Sequence, residues 1–267
     1  MDSNYLDAVI VTEGSDDVQI LEALLTRWRH GNQGPWNPEI RIVPAKGEAG
    51  GQGNIPRLVK KYIELSDLII VVFDPDDRPY PEVIEDIFEK ISENLGEWRC
   101  LPEESIRLSV QRGFDVHRIR VIERTPRDKS EEARRALLAF WPAQIQSLDL
   151  AHSMLDYILM LLRQEKILEK VLEDLQQVRA DEQIPARQII EKHNKILKLL
   201  QAQKIKVSSS KRELDFLKAL VGFREGYGKM GAKVIANKLV SEDDLKDVFG
   251  DMMRFIEELL AFVQSRE

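Results

Sequence analysis

The sequence predicts an α/β fold, a parallel sheet flanked by helices, followed by an all-helical C-terminal unit. Up to residue 125, short apolar segments alternate with amphipathic helical patterns, as in an α/β domain. The strongest segment, Leu68–Phe73, is apolar throughout and mostly β-branched or aromatic, which is typical of a strand buried on both faces. From Ser130 onward only helical periodicity is visible. We therefore predict a sheet domain over residues 1–125 and a helical domain over residues 126–267.

The first strand is predicted over residues 6–12 and runs directly into Glu13 and Gly14. Gly14 suits a tight turn from strand to helix, and Ser15 or Asp16 can cap the helix that follows. Asp17 falls in the first turn of this helix. On local evidence, a carboxylate there is best explained as favourable to the helix dipole.

The next elements lead to the central strand. Residues 39–44 alternate and predict a second strand, and the glycine-rich segment 46–54 precedes a helix over residues 55–65. With Lys46, this loop could cradle phosphate through backbone N–H groups, but it lacks the Gly-Lys-Ser/Thr ending of a Walker A motif. A flexible loop is an equal alternative. The central strand is followed by a predicted helix over residues 81–95 and a loop over residues 96–104.

Two further strands are predicted at residues 106–110 and 116–122, and the second alternates apolar and basic side chains. The predicted C-terminal helices cover residues 131–140, 148–178, 186–203, 211–222, 231–239 and 241–265. The two longest, 148–178 and 241–265, could pair between chains, so the sequence is compatible with a homo-oligomer.

Composition narrows the function classes. The chain has 267 residues, is 43% hydrophobic and 32% charged, and carries a formal net charge of -7. Its one cysteine, Cys100, excludes an internal disulfide and a multi-cysteine zinc site. Neither a signal peptide nor an apolar segment long enough to span a bilayer is visible. We expect a cytoplasmic protein with no membrane partner.

An acidic group follows the central strand: Asp74, Asp76 and Asp77. Ligands of open α/β sheets bind at the carboxyl ends of the strands. Carboxylates this close repel one another, and their oxygens are the ligands that Mg²⁺ or Mn²⁺ prefers. The alternative is a solvated acidic loop that ends the strand.

A basic region lies in the helical half. Residues 184–238 contain thirteen Lys or Arg against four Asp or Glu, with Lys192, Lys195 and Lys198 at helical spacing on one face. Such a patch can follow the phosphate backbone of RNA or DNA. A solvated helix face explains the same pattern equally well.

Together, these motifs resemble the toprim fold of topoisomerases, DnaG-type primases and a set of nucleases. In toprim proteins a glutamate followed by glycine ends the first strand, and an Asp-x-Asp ends a later, very apolar strand. Here these are Glu13 with Gly14, and Asp74 with Asp76. The form Glu-Gly-x-x-Asp is similar to OLD-type nucleases and small standalone toprim proteins, which makes Asp17 a candidate ligand. The resemblance covers residues 6–125, and Pro75 between the two aspartates departs from it.

The resemblance implies a metal-dependent nuclease in which Asp17, Asp74 and Asp76 hold one or two Mg²⁺ or Mn²⁺ ions. Glu13 would be a ligand or the general acid/base. Apart from the resemblance, Lys46 in the glycine-rich loop could stabilise the developing phosphate charge. The third acidic position of some relatives has two candidates, Glu123 and Asp156.

Other readings of these motifs remain. Arg118 and Arg120 could hold a phosphate, although a solvated strand face explains them better. A non-catalytic toprim module that binds nucleic acid or a partner protein, such as a separate ATPase, is the alternative function. Nucleotidyl transfer is a third, less favoured because zinc and template-binding modules are not apparent.

Overall fold

A computed structural model of the chain describes residues 5–31, 38–45, 51–75, 78–101, 118–126, 133–143, 186–203 and 242–264, with residues 154, 157, 160, 161, 164, 166 and 169. Its strands are β1 (Ala8–Thr12), β2 (Ile40–Pro44), β3 (Leu68–Phe73), β4 (Trp98–Cys100), β5 (Ile119–Arg124) and β6 (Arg134–Pro142). Its helices are α1 (Ser15–Gly31), α2 (Ile55–Tyr62, after a 3-10 turn at Gly51–Asn54), α3 (Tyr80–Asn94), α4 (Ala186–Ala202) and α5 (Glu242–Gln264).

The six strands form one sheet in the order β2-β1-β3-β6-β5-β4. The first four run parallel, whereas β5 pairs antiparallel with both β6 and β4. The α/β class is therefore confirmed, but the sheet is mixed rather than parallel. We call the edge where β1, β2, β3 and β6 end the carboxyl edge, and the opposite edge the amino edge.

The predicted helix over residues 131–140 is wrong, because this stretch contains β6. Seven of its residues, from Ala136 to Pro142, are buried, and Leu68 to Phe73 pair with Leu137 to Pro142 in register. Pairing with a fully buried strand outweighs the helix preference of alanine and leucine. β6 lies after residue 125, beyond the predicted boundary of the sheet domain.

Helices α2 and α3 cover one face of the sheet. Both begin with proline in the first turn, where a missing N–H costs nothing. Buried side chains from them join alternate residues of the strands in one apolar cluster, which includes Val59, Ile84 and Phe140. On the opposite face, the ring of Trp141 packs against Phe255 of α5, with centroids 5.1 Å apart.

The short strand β4 falls in a segment that the sequence predicts as a loop. Gly96 precedes it with φ of +67°, a conformation in which glycine avoids the strain of other residues. This turn reverses the chain after α3, so that Trp98 can pair with Arg124 of β5.

Contacts divide the chain into two compact units. Among the described residues, the first unit contains the sheet, α2, α3 and the part of α5 from Asp251. The second contains most of α1, α4, and the start of α5, and within it the rings of Tyr157 and Phe249 stack with centroids 4.7 Å apart. No helix in the described ranges combines the length and apolar character needed to cross a membrane.

Helices α4 and α5 agree with the predicted helices 186–203 and 241–265. The predicted strand at 106–110 and the helices at 211–222 and 231–239 lie outside the described residues, as does most of 148–178.

Candidate functional site

The carboxyl edge brings the ends of β1 and β3 together. Thr12 lies opposite Val72 in the parallel pairing, so Glu13 and Asp74 follow where the two strands finish. The backbone N–H of Ala45 donates to the Thr12 carbonyl over 2.7 Å. The chain therefore enters the glycine-rich segment at this same edge.

The Glu13 side chain reaches across to the chain that leaves β3. Its Oε1 accepts a hydrogen bond from the backbone N–H of Asp74 (3.0 Å) and another from Nε2 of Gln52 (2.9 Å). Gln52 Nε2 also lies 3.4 Å from the carbonyl oxygen of Asp74. All three residues are half-buried. Glu13 is thus fixed against the first residue of the acidic segment.

Sequence reasoning missed Gln52. It stands in the 3-10 turn at the end of the glycine-rich segment, directly before α2, and its amide contacts residues at both strand ends. Its position in a glycine-rich loop after β2, at the same sheet edge, is the signal that could have identified it, since glycine itself offers no side chain there.

Asp17 turns back from α1 towards the end of β1. Its Oδ2 accepts a hydrogen bond from the backbone N–H of Gly14 over 2.9 Å, and the Thr12 hydroxyl donates to the Gly14 carbonyl over 2.9 Å. A carboxylate that reaches back to the residue before its helix is the second half of a capping box. Asp17 therefore stabilises the start of α1. This contact holds its carboxylate at Gly14, the residue that follows Glu13.

After Asp74 the chain turns from β3 into α3. The backbone N–H of Arg78 donates to the Pro75 carbonyl over 3.1 Å, and its guanidinium pairs with Asp86 over 2.7 Å. Pro75 is buried. The predicted site residues Asp76 and Lys46 lie outside the described residues, and so does Asp156, so their roles stay predictions.

Glu123 is wrong as a candidate third ligand. Because β5 is antiparallel, Glu123 pairs with Arg135 at the start of β6 and therefore lies at the amino edge. Its carboxylate accepts hydrogen bonds from Arg99 (2.9 Å) and Arg135 (2.9 Å). These two contacts hold the pKa of Glu123 below its ordinary value. It is a structural ion-pair centre, remote from the carboxyl edge.

Arg120 and Arg118, which precede Glu123 on β5, differ from each other. Arg120 is 5% exposed and pairs with Glu85 of α3, so the prediction of a solvated strand face is wrong for it. Arg118 is half-buried between aromatic rings.

The described acids at the carboxyl edge suit a divalent cation by their chemistry. Glu13, Asp17 and Asp74 supply carboxylate oxygens, the donors that Mg²⁺ and Mn²⁺ prefer. Within the ranges that the structure describes, no three His, Cys, Asp or Glu side chains are drawn together in a metal-binding group. Asp76, the remaining member of the predicted set, is outside those ranges.

Comparison of the chain with models of known protein families, with curated proteins and with solved structures found no match.

Proposed function

We propose that the protein is a metal-dependent nuclease that cleaves phosphodiester bonds of RNA or DNA at the carboxyl edge of its sheet. One observation carries the proposal: the Glu13 carboxylate, at the end of β1, accepts a hydrogen bond from the backbone N–H of Asp74, at the end of β3. Two acidic residues that lie 61 positions apart in the chain thereby share one place in the fold. Their order and strand contexts are those of the toprim motifs that the sequence resembles.

Glu13, Asp17, Asp74 and Asp76 are the residues that would hold Mg²⁺ or Mn²⁺. A bound divalent cation would lower the pKa of a water and neutralise charge on the phosphoryl oxygens. The chain itself fixes the carboxylate of Glu13, because the Asp74 N–H and the Gln52 amide set its orientation before any substrate binds.

Glu13 is also suited to proton transfer. Two hydrogen bonds to Oε1 hold the carboxylate in one orientation, and a carboxylate so held can accept the proton of an attacking water. Lys46, the next residue after Ala45 in the sequence, is proposed to stabilise charge on the cleaved phosphate. These roles divide the site into acidic residues for the cation and water, and a basic residue for the phosphate.

Binding of nucleic acid is proposed for the basic helices. In α4, the side chains of Lys192, Lys195 and Lys198 are exposed, while Ile189 and His193 are buried on the other side of the helix. A helix that keeps these lysines in solvent can present them to phosphates.

A cleavage assay tests the proposal. Purified protein is incubated with labelled RNA and DNA in Mg²⁺, in Mn²⁺ and with EDTA, beside the variants Glu13→Gln and Asp74→Asn. Glu89→Gln, an exposed carboxylate on α3, is the matched control for removal of one negative charge.

We expect cleavage that needs the metal, is retained in Glu89→Gln, and falls at least a hundredfold in the two site variants. Wild-type protein that binds nucleic acid but cleaves neither polymer would refute the nuclease and favour the non-catalytic binding module.

A further inference from the structure

The guanidinium of Arg118 lies between two aromatic rings. Its Cζ is 4.7 Å from the ring centroid of Tyr80 and 5.4 Å from that of Trp141, distances typical of cation–π contacts. Its Nε atom is buried and has no hydrogen-bond partner within the described part of the chain. A guanidinium has five N–H donors. The two aromatic rings hold it in place but do not offer the oxygen acceptors that an anion would.

The contrast with Arg120 shows what this arrangement lacks. Arg120 projects from the same strand two residues later, and it has the Glu85 carboxylate as a counter-charge. The buried Nε of Arg118, by contrast, has no hydrogen-bond partner among the residues that the structure describes. Burying part of a cation without an acceptor costs free energy, and an anion from outside would remove that cost.

The position of Arg118 relates it to the candidate site. It directly precedes β5, whose first residue, Ile119, pairs antiparallel with Ala139. This end of β5 therefore lies beside the carboxyl end of β6, where Trp141 pairs with Val72 of β3. Tyr80 is the first residue of α3 and follows the turn that begins at Asp74. Arg118 thus belongs to the same edge of the sheet as Glu13 and Asp74.

Arg118 is displaced from the acidic pair by two strands. Neighbouring strands lie about 4.8 Å apart, so β5 is roughly 10 Å from β3 across β6. An arginine on a strand at that distance lies within the span of a bound strand whose phosphates continue along the edge from the acidic pair.

We propose that Arg118 binds a backbone phosphate of the substrate strand that flanks the cleaved one, with Tyr80 and Trp141 holding its guanidinium in place. The inference rests on the proposed function, because it takes nucleic acid as the substrate. Two parallel N–H···O bonds from the planar guanidinium to phosphate oxygens would satisfy its donors. The rings would set its orientation beforehand and so reduce the entropy lost on binding.

Equilibrium binding tests the inference without requiring cleavage. Fluorescein-labelled single-stranded RNA and the DNA of the same sequence are titrated with Glu13→Gln protein over a range of salt concentrations. Arg118→Gln is compared in this background with Arg99→Gln, which removes the same charge from an exposed arginine at the amino edge. Arg118→Lys keeps the charge but loses the planar pair of N–H donors that can bind two phosphate oxygens at once. Near-ultraviolet circular dichroism verifies that each variant is folded.

We expect Arg118→Gln to weaken binding about tenfold, as for the loss of one charge-assisted phosphate contact. The fall of the logarithm of the association constant with the logarithm of salt concentration should become shallower, by about 0.7 to 0.9 in slope. Arg118→Lys should retain the slope and lose part of the affinity, and Arg99→Gln should change neither. Equal affinity and slope in Arg118→Gln and Arg99→Gln would overturn the inference, and so would a protein that binds neither polymer.

The two proposals fail separately. Metal-dependent cleavage by wild-type protein with no binding defect in Arg118→Gln would leave the nuclease and remove the phosphate contact. A binding defect in Arg118→Gln, together with wild-type protein that does not cleave, would retain the contact and remove the nuclease.

Discussion

The contact between Glu13 and Asp74 can be tested by comparing two substitutions of the same carboxylate. Glu13→Gln keeps an oxygen that can accept from the Asp74 N–H and the Gln52 amide, whereas Glu13→Ala removes it. Both variants lose one negative charge, so any relief of repulsion among the acids is common to them. The difference in their free energies of unfolding therefore reports mainly these hydrogen bonds, together with the packing of the side-chain atoms beyond Cβ that alanine lacks.

The size of this difference follows from the two contacts. A hydrogen bond between neutral groups contributes about 0.5–1.5 kcal/mol net, and a donor left without a partner in a buried place costs about 1–3 kcal/mol. In Glu13→Ala the Asp74 N–H loses its acceptor, while Gln52 retains the Asp74 carbonyl at 3.4 Å. We therefore expect Glu13→Ala to be less stable than Glu13→Gln by about 1–2 kcal/mol.

Urea denaturation without metal, followed by far-ultraviolet circular dichroism, measures the difference as a shift of the midpoint at unchanged slope. A chelator in all samples prevents stabilisation of one variant by bound metal. Equal midpoints for the alanine and glutamine variants would show that Glu13 does not bind across the strand ends. The geometry proposed for the site would then fall with it.

Three further outcomes are expected. Because the folded-state pKa of Glu123 is lowered, its ion pairs stabilise the protein above the ordinary glutamate pKa of about 4.3, and this stabilisation is lost as pH falls through the lower folded pKa. Glu123→Gln should therefore lower stability by about 1–2 kcal/mol at neutral pH and by less in acid, and a pH-independent gap in urea midpoints would contradict this. Phe140→Ala removes a fully buried ring that meets Phe88 edge-on at 6.4 Å, and calorimetry should show a loss of about 3–5 kcal/mol, whereas a loss under 1 kcal/mol would show that β6 is not central. Gln52→Leu should lower metal-dependent cleavage about tenfold with a loss of stability of about 1 kcal/mol, and full activity would mean that Gln52 does not orient Glu13.

The parts of the fold that sequence predicted are those that local pattern determines. Leu68–Phe73 could be identified because a fully apolar, mostly β-branched segment of this length is typical of a buried strand. Helices α2 and α3 could be identified because proline marks their first turns. β6 was missed because its alanine and leucine residues suit a helix, and only pairing with β3 decides otherwise. Its unbroken apolar run, which ends at Pro142, was the available signal.

Recognising β6 would also have predicted the mixed sheet. Nine residues separate Arg124 of β5 from Arg134 of β6, and a parallel crossover needs a dozen or more. An antiparallel β5 then places Glu123 at the amino edge. The carboxyl ends of parallel strands lie at one edge of a sheet, so the sequence correctly placed Glu13 and Asp74 together. It misplaced Glu123 because β5 runs antiparallel.

Gln52 and Arg118 show the limit of sequence for the site itself. The position of the loop after β2 indicates which edge of the sheet it reaches, but the contacts of the Gln52 amide depend on how the loop returns to that edge, which the sequence does not show. Arg118 is one of several arginines near β5, and what distinguishes it is the pair of rings from distant parts of the chain.

The central claim is that Glu13 and Asp74 hold a divalent cation together. Titration of Mn²⁺ followed by electron paramagnetic resonance counts the bound ions directly, because free Mn²⁺ gives the observed signal. We expect wild-type protein and the Glu89→Gln control to bind Mn²⁺ alike, and Glu13→Gln and Asp74→Asn each to weaken binding at least tenfold. Undiminished Mn²⁺ binding in both site variants, or no binding by folded wild-type protein, would contradict the account.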